Sequence, residues 1–284
     1  MNKEYSPKFD VRISTLIGLG IFALLLTVLT GGVWTVLLIA NLATSPAVPW
    51  AVIVMAILLW LMWQYLDGKG WPDSTSEARH RYLRARPVSR PAFMWSMAAG
   101  MFSIIALTGL WIVLFQLVKV PGNALPDFSK YPFLLVTLVL FMASLAASIA
   151  EEACFRGYFQ SALEARFSGF TAILITTLVI SPGHSFTQGF VWPTMMFYFF
   201  VDAVFGTLAY LCDSILPGIV IHTIGLFIFF AGIWPFDASR RLISEGGADV
   251  WFWLHIVQTV IFAILAFLAF RQLARITNLH RDKT

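Results

Sequence analysis

Residues 133–157 read FLLVTLVLFMASLAASIAEEACFRG, a run with no charged side chain until Glu151, Glu152 and Arg156 close it. A spanning helix needs about 20 consecutive apolar residues, and this run supplies nearly that many before its first charge. Working outward, comparable apolar helices are expected at roughly 13–42, 49–66, 93–118, 132–150, 170–182, 193–212, 216–234 and 250–272. The expected fold is therefore all-α, a polytopic membrane bundle of about eight transmembrane helices. Repeated runs of this length favour spanning helices over a barrel, whose strands are short and alternate in polarity.

Composition leads to the same class. Of the 284 residues, 59% are hydrophobic and 12% charged, and the mean hydropathy is +0.80. Lipid must serve as solvent for much of such a chain, because a soluble domain needs more polar surface. The net charge of +4 and pI near 9.2 do not require nucleic acid. The basic residues cluster in loops beside apolar runs: Lys69, Arg79, Arg81, Arg84, Arg86 and Arg90 in residues 67–91, and Arg271, Arg275, Arg281 and Lys283 in the tail. The positive-inside rule puts such segments in the cytoplasm, and an even number of spans puts both termini there too. Residues 1–12 carry Lys3, Lys8 and Arg12 but also Glu4 and Asp10, and the apolar stretch after them is too long for a signal-peptide core, so a retained first span is expected. No linker or repeat divides the chain, and residues 1–284 are expected to form one helical domain. Cys154 and Cys212 lie in apolar surroundings and read as small core residues, not a disulfide framework. Trp71, Trp95, Trp192, Trp234, Trp251 and Trp253 fall near span ends, where interfacial anchoring is expected.

An ionisable residue within an apolar span is costly, so each one is a candidate functional group. The candidates are Glu151 and Glu152 with Arg156, then His184, Asp202 and His222. On a regular helix Glu152 and Arg156 face the same way, whereas Glu151 is turned about 100° aside. Glu152 is thus expected to pair with Arg156, leaving Glu151 free as a general base. A salt bridge closing the helix end would use the same residues. His184 follows Ser181, Pro182 and Gly183, helix breakers that predict an irregular turn. If the chain reverses near Ser168 and Gly169, Glu151 and His184 lie nearly level on antiparallel helices. Regular helix geometry does not bring His222 to them; that requires a tilted or non-ideal segment. Asp202 is expected to be a structural partner for an Arg or His.

The segment Glu151-Glu152-Ala153-Cys154-Phe155-Arg156 resembles the EExxxR motif of the CAAX protease and bacteriocin-processing (Abi) family, which includes type II CAAX prenyl endopeptidases. His184 resembles the histidine of the family's FxxxH motif, and His222 that of its HxxxN motif; the resemblance runs over about residues 140–230. It implies a metal-independent, glutamate-type intramembrane peptidase without a cofactor. Glu151 would activate water with His184 assisting, Glu152 and Arg156 would hold the site, and His222 would polarise the scissile carbonyl. Two positions depart from the pattern. Ile180 stands where the second motif has Phe, and Leu226 stands where the third has Asn, one hydrogen-bond donor fewer. A zinc site of Glu and two His is the competing chemistry, although the HExxH helix that commonly delivers it is missing. The implied partners are a hydrophobic or lipid-modified peptide substrate and the bilayer, and the expected location is the bacterial inner membrane, with an endoplasmic-reticulum-type membrane as the alternative. Two other functions compete: a non-catalytic scaffold or bacteriocin-immunity protein, favoured by Leu226, and a proton-coupled transporter, which lacks the internal repeat expected of one.

Overall fold

The computed structural model describes residues 11–119, 128–188 and 190–281. The expectations about Lys3, Glu4, Lys8, Asp10 and Lys283 lie outside these residues. The order is α1 (Ile13–Thr44), α2 (Trp50–Leu66), α3 (Ser76–Leu83), α4 (Arg90–Leu117), α5 (Phe133–Glu151), a π-helical segment (Glu152–Phe159), α6 (Gln160–Glu164), α7 (Gly169–Gln188), α8 (Trp192–Cys212), α9 (Leu216–Gly232), α10 (Ile243–Gly246) and α11 (Val250–Arg281). Among the described residues there is no strand, and the all-α class is borne out. Among the described residues six helices are long and apolar enough to cross a membrane, and α2 and the first part of α7 are shorter apolar helices. The chain is an integral membrane protein.

The outward faces are as apolar as the core. On α11, Val257, Val260, Ile261, Ile264, Phe267 and Leu268 are all exposed. Water would penalise such a face, whereas hydrocarbon does not. Helix termini follow local chemistry. Ser89 caps α4 by accepting from the Ala92 amide at 3.4 Å, and α8 and α9 each carry a proline in their first turn, where a missing N–H costs nothing. Asn41, fully buried, closes the α1–α2 turn by accepting from Ala51 N (2.8 Å) and donating to the carbonyls of Ser45 and Val48 (2.9 Å each).

α5, the π segment and α6 form one continuous rod, and α1 runs antiparallel along it. Near one end Arg166 donates to the Val11 carbonyl (3.1 Å) and Phe159 lies against Gly20; towards the other, Trp34 packs with Leu135, Val139 and Met142. α9 packs on α5, while α4 packs on α8, α9 and most extensively on α11. α7 pairs with α8 and returns to the π segment. The reversal expected near Ser168 and Gly169 is present, since α6 ends at Glu164 and α7 begins at Gly169. The irregular turn expected before His184 is not. α7 continues through Pro182 to Gln188, because within a protein interior neighbouring helices and serine side chains can satisfy the backbone that a proline disrupts.

The basic loop is more than a charged surface. Arg79 is buried, and its guanidinium donates to the carbonyls of Tyr65 (2.5 Å), Gly70 (2.7 Å) and Lys69 (3.2 Å). Arg84, also buried, pairs with Glu164 and with Asp213 (3.2 Å), while Arg86 pairs with Asp213 at 2.5 Å. Tyr158 donates to the Leu66 carbonyl at 2.6 Å, so the loop is bolted to the π segment as well as to the α8–α9 turn. Arg79→Gln, which cannot reach the same set of carbonyls, is expected to loosen this loop. Trypsin should then cleave after Arg81 or Arg84 at least about tenfold faster than in the parent protein, because each charge-assisted hydrogen bond is worth about 1.5–3 kcal/mol. Equal cleavage rates would contradict this role for Arg79.

Candidate active site

Glu151 is the last residue of α5, and at Glu152 the helix widens into a π turn, with backbone bonds that skip one residue further than in an α-helix. Consequently Arg156 does not sit squarely over Glu152: its Nε is 3.7 Å from Glu152 Oε1, beyond hydrogen-bond range. The close partner of Arg156 is Asp202 on α8, with Nη2 to Oδ1 at 2.7 Å. Glu152 is held instead by His222 of α9, whose Nδ1 is 3.0 Å from Oε1. The expected pairing of Glu152 with Arg156 is thus present as an ion pair without a hydrogen bond, and the expected Arg partner for Asp202 is present too. Glu152, Arg156, Asp202 and His222 are all buried.

His222 also turns its second nitrogen towards Glu151, with Nε2 3.8 Å from Oε2. Its ring stacks on Phe205 at a centroid distance of 4.3 Å, and the His184 ring stacks on Tyr198 at 4.0 Å. Tyr198, Asp202 and Phe205 lie four and then three residues apart, so one face of α8 presents all three to the site. The non-ideal geometry required to bring in His222 is supplied by the π segment and by this face of α8. Gly218, one turn before His222, allows α9 to approach: a methyl group there would lie 2.6 Å from Glu152 Oε2.

Glu151, His184 and His222 line one cavity of about 410 Å3, within the usual range for small-ligand sites of roughly 300–1,000 Å3. The rest of the wall is mainly apolar and aromatic, with Trp34, Trp111, Phe197, Leu226, Phe229 and Trp234. Trp234 thus faces the cavity, unlike the exposed Trp71, Trp192, Trp251 and Trp253 that sit as interfacial anchors would. Gly31 and Thr35 of α1 line the cavity and are also exposed, and among the described residues no close-packed seam joins α1 to α4 or α8. The cavity is therefore open beside α1. Beyond α9, Asp237 accepts from Trp111 Nε1 and from Arg240 Nε, each at 2.8 Å, and so fixes the segment that carries Trp234.

Glu151 Oε2 and Glu152 Oε2 accept no hydrogen bond among the described residues. Nor do any three His, Cys, Asp or Glu among the described residues converge as metal ligands. Cys154 is fully buried and Cys212 half-buried, and both are unbridged. Tyr198, Phe205 and Ser181 escaped the sequence reading because aromatics and serines abound in this chain. The spacing of Tyr198 and Phe205 around the lone intramembrane Asp202 is the signal that could have pointed to them.

The family model for type II CAAX prenyl endopeptidase Rce1-like proteins matches residues 133–228. That is about a third of the chain, from the start of α5 into α9, and it includes every residue of the cluster. The family resemblance carried by the EExxxR segment is borne out over this stretch, and the family is one of CAAX-type proteases. No curated protein and no solved structure matched the chain.

Gly218→Ala places a methyl group against a buried carboxylate, whereas Gly232→Ala meets nothing within 4 Å. The first is expected to lower stability in detergent by about 1–3 kcal/mol, as overpacking does, and the second to leave it nearly unchanged. Equal thermal unfolding of the two variants would contradict the close approach of α9 to Glu152.

Proposed function

We propose that this chain, whose residues 133–228 carry the Rce1-like CAAX protease pattern, is an intramembrane endopeptidase that hydrolyses a peptide bond in a hydrophobic or lipid-modified peptide. The observation that carries the reading is the meeting of Glu151, His184 and His222 in one cavity whose remaining wall is mainly apolar. An apolar substrate segment gains by leaving the bilayer edge for such a wall only if a polar reacting group finds partners at its end.

Glu151 acts as the general base. It takes a proton from a water molecule as that water attacks the scissile carbonyl, and returns the proton to the leaving amine. His184, on the same cavity wall, orients the water. His222 donates from Nδ1 to Glu152, which fixes the ring and aims Nε2 at the region beside Glu151. When that nitrogen is protonated it is placed to stabilise the oxyanion. Glu152 thus acts through His222, and Arg156 balances its charge from 3.7 Å. The natural setting would be the bacterial inner membrane with both termini cytoplasmic.

Leu226 favours a second reading. It lines the cavity one turn after His222 and offers no donor for an oxyanion, as would suit a scaffold or immunity protein that has kept the fold. Purified protein incubated with hydrophobic peptides, with and without an isoprenyl group, separates the two. Under the peptidase reading cleavage occurs and Glu151→Gln lowers kcat by about 10²–10⁴ while the protein remains folded; a variant as active as the parent removes Glu151 from the chemistry. Cleavage by neither protein favours the scaffold.

The zinc alternative makes the opposite prediction about chelation, because a catalytic metal depends on deprotonated ligands and is stripped by a strong chelator. Activity is expected to survive such treatment. Complete loss that added zinc restores would make Glu151, His184 and His222 metal ligands.

A further inference from the structure

Asp202 belongs to none of the three motifs, yet two of the site's supports converge on it. Its Oδ1 accepts from Arg156 Nη2 at 2.7 Å, and its Oδ2 lies 2.8 Å from the Ser181 hydroxyl. Both Asp202 and Ser181 are buried. Ser181 precedes His184 by three residues, one turn earlier on α7, and between them stand Pro182 and Gly183. Pro182 donates no backbone hydrogen bond, and glycine is the most weakly helical residue after proline. The turn that carries His184 is therefore the one least able to hold its own position, and it is the turn tethered to Asp202.

We propose that Asp202 is a positioning residue for the site: one carboxylate oxygen holds Arg156 on the π segment, and the other holds, through Ser181, the proline-containing turn of α7 that presents His184. The proposal rests on the peptidase reading only for its kinetic consequence. Asp202 does not itself line the cavity, and it acts by holding together the two elements that bear the base and His184. The same face of α8 completes the arrangement, since Tyr198, one turn before Asp202, is the ring on which His184 stacks. Ser181 Oγ also lies 2.7 Å from the Thr177 carbonyl, so its single proton serves one acceptor at a time.

That detail makes asparagine an informative replacement. Its amide oxygen can accept from Arg156, and its NH2 can donate to Ser181 while the Ser181 proton goes to Thr177, so both tethers survive without the charge. Alanine removes both. The test compares Asp202→Asn, Asp202→Ala and Ser181→Ala with the parent protein in detergent, each checked for folding by gel filtration.

The first readout needs no activity. Carbethoxylation of His184 by diethyl pyrocarbonate, followed by peptide mass spectrometry, reports how well the turn is held. In Asp202→Ala the rate is expected to rise about fivefold or more, as local opening becomes easier, and in Asp202→Asn to stay within about twofold. Ser181→Ala, which removes only a neutral hydroxyl, should show a smaller rise in the same direction and serves as the test if Asp202→Ala does not fold. The second readout is cleavage of a fluorogenic farnesylated peptide. Asp202→Ala should lose about 10²-fold in kcat with KM within about threefold, the pattern of misplacement without lost binding, and asparagine should recover most of that loss. His184 reactivity equal to the parent's in folded Asp202→Ala or Ser181→Ala overturns the proposal, as does an asparagine variant no better held than the alanine one. If the reactivities change as expected while no protein cleaves the peptide, the positioning role stands and the peptidase reading does not.

Discussion

A guanidinium that no solvent reaches, at membrane depth, is the constraint around which the other helices are arranged. Arg156 is fully buried, and a lone charge so placed would cost several kcal/mol or more. It persists because Asp202 meets it at 2.7 Å and Glu152 lies near enough to add its field. Those partners sit on different elements, so satisfying one charge fixes the π segment against α8. Glu152 in turn accepts from His222 and brings in α9, and Asp202 reaches Ser181 and brings in α7. Helices that would otherwise be free to slide in lipid, where burial of apolar surface supplies no preference between neighbours, acquire one register.

This arrangement makes two adjacent carboxylates unequal. Glu152 is turned into the protein and bonded to His222 through Oε1, whereas Glu151 lines the cavity. Adjacent residues on a helix point about 100° apart, so the two carboxylates meet different surroundings. The cavity beside Glu151 then combines a small polar end with a largely aromatic wall. Such a site suits a substrate that is itself mostly apolar and needs water delivered to one bond.

Much of the fold could be read from the sequence because lipid imposes a simple rule on long apolar runs, and α1, α4, α8 and α11 fall close to where those runs lie. The candidate site was legible as a set of residue types. Glu151, Glu152, Arg156, His184 and His222 stand out as ionisable groups in apolar surroundings, and the structure brings them together. Their pairing was legible only in part. Helical spacing assigns Arg156 to Glu152, which it meets at 3.7 Å, but its closer contact with Asp202 comes from a helix 46 residues away and leaves no mark in the local pattern. Likewise Pro182 and Gly183 promise a broken helix, but the tether from Ser181 to Asp202 is a tertiary contact 21 residues away. The positive-inside rule places Arg79 and Arg84 in a basic loop but not their burial, because the carbonyls and carboxylates that meet them come from other segments.

The buried pair at the centre can be weighed directly by a double-mutant cycle on reversible unfolding in mixed micelles, using Arg156→Met, Asp202→Leu and the double variant. Removing one partner strands the other charge and should cost about 3–5 kcal/mol, whereas removing both leaves well-sized apolar side chains in their place. The account predicts a double variant less destabilised than the sum of the singles by more than about 1 kcal/mol. Additivity within about 0.5 kcal/mol would mean that the two charges do not depend on each other, and would contradict it.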